Sequence, residues 1–235
     1  MPTRTRVSGP SAIHRLSTGQ ERKLVDYLED HLLEITRNYK KRAHPSSTLP
    51  TLASYLKAVH PLLALILQIP PVEPSASLRT SLLLRLTGDV LSSITGYTPG
   101  SVDTLPQLLE WMDELDRGWL AVLRGQSWDP VVHSGVDGSH TCHSADEADI
   151  TERLGRVSSV SQTDRTRLRS ILIGGTDRME EWLANIDTTD QNFQAALETM
   201  GLQMGFNDLF SRTLGEMGSL DGSMPPDPQR MAETR

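Results

Sequence analysis

The 235-residue chain is 37% apolar and 23% charged, with a formal net charge of −7. Residues 1–44 carry nine Lys/Arg against five Asp/Glu and the remainder 14 against 25, so a basic front leads into an acidic body. This distribution argues against a general nucleic-acid binder, which needs a broad basic face, and the modest apolar content predicts a core over only part of the chain.

A lone cysteine, Cys142, excludes an internal disulfide framework and fits a reducing compartment. No N-x-[ST] acceptor occurs, and the longest apolar run, residues 62–69, is broken by Gln68. That run is far short of the roughly 20 residues a membrane span needs. The expectation is an intracellular protein, cytoplasmic or nuclear, with no membrane span.

The opening "MPTRTRVSGPSAIHRLSTGQ" holds Arg4, Arg6 and Arg15 and no acid before Glu21. Its composition suits a mitochondrial transit peptide, but Gly9 and Pro10 would break the amphipathic helix such a peptide needs. Residues 1–17 are therefore read as a disordered basic tail. In residues 21–42, Leu24, Leu28, Leu32, Ile35 and Tyr39 mark one helical face. Thr18 and Glu21 have capping-box spacing, and Lys40, Lys41 and Arg42 suit the negative end of the helix dipole or a phosphate contact.

A second helix is predicted with Thr48 as cap, Pro50 in its first turn, and Leu52, Leu56, Val59, Leu63 and Ile66 inward. Pro61 should kink or split it, and beyond Pro61 it is apolar almost all round, as a buried bundle helix would be. His60 beside that break reads as a packed or exposed histidine. After "PPVEPSAS", Leu78, Leu82, Leu86, Val90 and Ile94 mark a third helix, stopped by Gly96 in the left-handed region. Asp103 or Thr104 caps a fourth, with Pro106 in its first turn and Leu108, Met112, Leu115, Trp119 and Val122 on its face. Four helices joined by short proline-bearing loops predict an all-α fold, with a four-helix-bundle-like region over residues 18–126.

Residues 127–149 lose helical periodicity and read as a polar linker. A smaller helical C-terminal region, residues 150–217, follows. Ser161 or Thr163 caps it, and Leu168, Ile171, Leu172, Met179, Trp182 and Leu183 face inward. Gly174 and Gly175 should interrupt it, with Thr176 capping the resumed helix or "GGTDR" holding an anion. Phe193, Leu197, Met200, Met204, Phe206, Leu209, Phe210 and Leu214 suggest one interrupted helix or two short ones. Residues 218–235 are read as a disordered tail.

Chemistry is sparse. "HSGVDGSHTCHSADEAD", residues 133–149, gathers His133, His140, Cys142 and His143 with Asp146, Glu147 and Asp149 behind them. All are zinc-ligand types, but the paired spacings that fix two ligands on one turn are missing. A Cys–His catalytic pair would come from separate rigid elements. The stretch is therefore read as linker. There is no P-loop, G-x-G-x-x-G, H-E-x-x-H or EF-hand motif, and "GQSWD" at 125–129 lacks the second glycine of a nucleophile elbow. The Asp113/Glu114 and Glu180/Glu181 pairs read as solvated faces, and Trp111, Trp119 and Trp182 as core or partner groove. No catalytic, cofactor or metal residue is assigned.

"YLEDHLLEITRNYKKR" and "LLALILQIPPVEPSASLRTSLLLRLTGDVL" resemble a group of small, largely uncharacterised fungal helical proteins, some labelled as related to meiotic recombination. The likeness covers residues 18–97. Without a P-loop, it implies at most an accessory role in recombination.

The expected function is a non-enzymatic helical interaction or scaffold protein whose partner is another protein. One alternative is an accessory factor in DNA recombination or chromosome maintenance, touching phosphates with the basic N-terminal segment. A second is an enzyme with its site between bundle helices, which a pocket lined by buried His and carboxylates would support.

Overall fold

The computed structural model describes residues 15–98, 104–137, 160–185, 197–198 and 201–220. The fold is all-α. Helices α1 (Thr18–Lys40), α2 (Leu52–Leu67), α3 (Ser75–Ile94) and α4 (Leu105–Leu123) precede a small antiparallel hairpin, β1 (Ser127–Asp129) and β2 (Ser134–Val136). Then come α5 (Gln162–Ala184), α6 (Gln203–Asn207) and α7 (Ser211–Leu220). No described helix is long and apolar enough to cross a membrane.

One apolar cluster joins all the longer helices. Helices α2, α3 and α4 pack on one another at its centre, with α1 on α2, α5 on α3, and both the hairpin and α7 on α4. The C-terminal helices thus bury their faces on the N-terminal bundle. Leu168, Leu172, Met179, Trp182 and Leu183 of α5 are all buried.

Several local expectations are corrected. The α1 capping box uses Ser17 and Gln20, one residue earlier than Thr18 and Glu21. The α2 cap is Thr51, which accepts from the Ser54 N–H, so Pro50 precedes the helix. Helix α2 also runs unbroken across Pro61. An interior proline costs about 3 kcal/mol. Leu62, Leu63, Ile66 and Leu67 beyond it are at most 2% exposed, and each buried side chain contributes about 1.5–3 kcal/mol. Packing outweighs the break.

Two glycines serve close approach. Gly96 is not in the left-handed region; a Cβ there would collide with the Tyr39 hydroxyl. Helix α5 runs straight through Gly174 and Gly175. A Cβ on Gly175 would lie 2.6 Å from Leu91 Cδ1, so its bare backbone lets α5 settle on α3. Thr176 lies inside the helix and donates to the Leu172 and Ile173 carbonyls, so "GGTDR" forms no helix start.

Residues 127–136, expected as linker, pair as the hairpin, with Trp128 buried opposite Gly135. Asp129 Oδ1 accepts from the Val131 and Val132 N–H groups and holds the turn. Residues 138–149 lie outside the described residues, as do the expected tails at 1–14 and 221–235; α7 extends past the expected boundary at 217.

The buried polar groups tie the helices together. Trp119 Nε1–H donates to Thr87 Oγ1 at 2.9 Å and Trp182 Nε1–H to the Tyr97 carbonyl at 2.8 Å. Asp116 Oδ1 accepts from both the N–H (3.0 Å) and the hydroxyl (2.6 Å) of Thr213, fixing α7 to α4. Arg79, 1% exposed, donates from Nη1 to the Gln126 carbonyl, while its Nε and Nη2 have no acceptor. Burial pulls its guanidinium down to about 10.

Candidate functional site

From sequence alone His60 reads as a packed or exposed histidine, Glu114 as solvated and His133 as part of a linker. The fold brings the three together. His60 lies on the exposed flank of α2, opposite the middle of α4. Glu114 sits one turn beyond Trp111 on α4, and the hairpin turn covers it. The carboxylate is 8% exposed, against 46% for the His60 side chain and 45% for His133. Glu114 Oε2 is 2.9 Å from His60 Nε2, and Oε1 is 2.8 Å from His133 Nδ1.

A carboxylate only accepts, so each ring carries its proton on the nitrogen facing Glu114. Both oxygens are then occupied, which satisfies a buried charge that would otherwise be costly. The outer nitrogens, His60 Nδ1 and His133 Nε2, remain.

His133 is held from several sides. Its backbone is left-handed, with φ at 49°, as the tight turn after Asp129 requires. Arg117 Nη1 donates to its carbonyl at 2.9 Å, and the Trp128 ring meets the imidazole edge-on at 6.5 Å. Arg117 is itself paired with Asp113 at 3.0 Å, and Asp113 also receives Arg212 of α7 at 2.6 Å. Asp113 and Glu114 are thus engaged rather than solvated, unlike the exposed Glu180/Glu181 pair.

These residues form one wall of a groove of about 540 Å³ between α2 and α4, closed by the hairpin turn. Leu56 and Trp111 give it an apolar floor, and Lys57, Glu110 and Arg117 stand along it. Val132 forms its lip, 58% exposed, beside Val131 at 85%. A smaller cavity of about 350 Å³ between α5 and α6 is lined by Met179, Leu183 and Phe206, with Glu180 as its one acid.

Of the His/Cys stretch weighed as zinc-ligand types and read as linker, only His133 falls within the described residues; His140, Cys142 and His143 lie outside them. Among the described residues no group of three His, Cys, Asp or Glu side chains is placed to hold a metal ion. Of the Lys40–Arg42 run, Arg42 is spent internally. Its guanidinium stacks 4.5 Å from the Tyr39 ring centre, and Nε donates to the Gly96 carbonyl.

Two signals in the sequence could have found the groove. Asp129–Pro130 is a turn-starting pair, and Trp111, Glu114 and Arg117 recur at helical spacing on one face. No family model, curated protein or solved structure matches the chain.

Proposed function

We propose that this chain is a non-enzymatic helical interaction protein that receives a partner protein in the α2/α4 groove, with the hairpin turn as part of the contact. The observation that supports this most is the placement of Val131 and Val132. Two exposed valines stand on a turn braced by Glu114, Arg117 and Asp129, directly beside a groove with a tryptophan floor. A rigid apolar lip next to a part-apolar groove suits recognition of another protein's side chains.

The test is affinity capture from native cells with mass spectrometry, comparing the wild-type chain with Val132→Asp. Val132 is exposed, so the fold should tolerate the change. Proteins retained by the wild type and lost by the variant support the reading; an identical set from both contradicts it.

A second reading, an acid–base enzyme, draws on the His60–Glu114–His133 trio. One buried carboxylate meets both imidazoles, so two side chains of the general acid–base type face a single groove. Lys57 is the one amine in the groove lining and no hydroxyl or thiol joins it, so a hydrolytic reaction there would use water as its nucleophile. Turnover of a substrate class that His60→Gln abolishes would favour this reading.

A further inference from the structure

We infer that α7 is a strap that sets the groove's lip: its docking on α4 is coupled through Asp113 to the hairpin turn that carries Val132 and His133. Docked, α7 holds the lip rigid; released, it loosens the lip. The coupling stands on contacts within this chain, and its consequence for a partner rests on the groove being the partner site.

A continuous polar chain makes the connection. Arg212 of α7 donates from Nη1 to Asp113 Oδ1 at 2.6 Å. Asp113 Oδ2 lies 3.0 Å from Arg117 Nε, and Arg117 Nη1 donates to the His133 carbonyl at 2.9 Å. Arg117 and His133 line the groove; Arg212 does not. With one carboxylate oxygen of Asp113 held by α7, the other is fixed facing Arg117. A guanidinium is planar and its donors form a rigid fork, so holding Nε also aims Nη1 at the turn.

The backbone carries an independent sign. Among the described residues, His133 and Phe210 are the two non-glycine positions with positive φ, 49° and 59°. Bulky side chains avoid this region, and such strain persists only where the surroundings hold it. One of the two sits in the hairpin turn and the other immediately precedes α7, so both segments that α4 carries are held by their docking. Phe210 is 1% exposed, which fixes the entry to α7.

Helix α7 is also the element most readily released. Ten residues that include Gly215 and Gly218 are too few to hold a helix alone. Only Thr213 and Met217 in it are buried. Its other ties to α4 are polar, from Arg212 to Asp113, from Thr213 to Asp116 and from Glu216 to Arg124. Segments with little buried apolar surface open first. Coupling of this kind is reciprocal, so a partner that braces the lip tightens α7, and whatever draws α7 away slackens the lip.

The experiment is hydrogen exchange on the free full-length chain, read in residues 130–136 and 211–220. Arg212→Gln, at a half-exposed position, should speed exchange in the turn by about two- to fivefold, the range of one exposed ion pair. Arg212→Lys, which keeps the charge and a donor for Asp113, should restore most of the protection. Arg117→Gln, at a residue with no hydrogen bond or ion pair to α7, should speed exchange in residues 211–220, and in its presence Arg212→Gln should add nothing at the turn. An unchanged turn in Arg212→Gln, effects of the two changes that multiply in full, or an α7 indifferent to Arg117→Gln overturns the coupling. A turn that responds as expected, in a chain whose captured proteins ignore Val132→Asp, supports the strap and removes the groove as its use.

Discussion

Gly175 of α5 and Leu91 of α3 touch backbone to side chain: a Cβ on Gly175 would stand 2.6 Å from Leu91 Cδ1 and 3.2 Å from its Cβ. Gly175→Ala must displace a fully buried leucine, and overpacking of that kind costs about 1–3 kcal/mol. Next door, a Cβ on Gly174 meets only the Arg178 guanidinium, at 3.6 Å. There the helix propensity of alanine should stabilise by up to about 1 kcal/mol. Thermal melts of the two variants should move in opposite directions.

Arg79 carries a buried charge with two unpaired donor nitrogens. Arg79→Met removes the charge and keeps most of the volume. Replacing a buried ion pair by well-packed apolar residues is often neutral or stabilising by about 1–4 kcal/mol, and the desolvation cost behind that gain acts on the Arg79 charge as well. Urea denaturation of the variant should show a raised midpoint; a lowered one would mean that the Gln126 carbonyl contact outweighs the desolvation cost.

The alkaline range sets Arg79 against two tyrosines. Burial raises the Tyr55 hydroxyl above its ordinary value and pushes Tyr97 up to about 12. The fold keeps protons that the unfolded chain releases above about pH 10, so this stability is lost as pH rises from about 10 to 12. Arg79, pulled down to about 10, does the reverse, because the unfolded chain then holds the extra proton. Two groups against one give a net loss of stability above about pH 10, measurable by denaturant titration. Tyr97→Phe should make that loss shallower.

Thr213 gives Asp116 two hydrogen bonds and is itself fully buried. Thr213→Val keeps the shape and removes the hydroxyl, and a lost bond to a charged group costs about 1.5–3 kcal/mol. Hydrogen exchange should quicken in residues 211–220 before it does in α2 or α3.

Helix faces were legible because burial enforces a 3.6-residue period: every inward position read for α3, apart from the half-buried Leu78, is buried. Glycine and proline were misjudged for one reason. Local propensity disfavours Pro61 and Gly175 inside helices, yet burial of the leucines after Pro61 and the close approach of Leu91 to Gly175 decide them, and sequence spacing carries no record of a partner helix. The trio was hidden in the same way. His60, Glu114 and His133 are separated by 54 and 19 positions and share no motif. Only the turn at Asp129, which folds His133 back onto α4, makes them neighbours.

The most direct measurement places a photo-crosslinking amino acid at position 132 on the groove lip and, separately, at position 180 on the exposed face of α5, in the full-length chain in its native cells. The expected result is a discrete cross-linked adduct from position 132, with none of the same mass from position 180. Adducts of equal yield from both positions, or none from position 132, would contradict the groove as the place where this chain meets its partner.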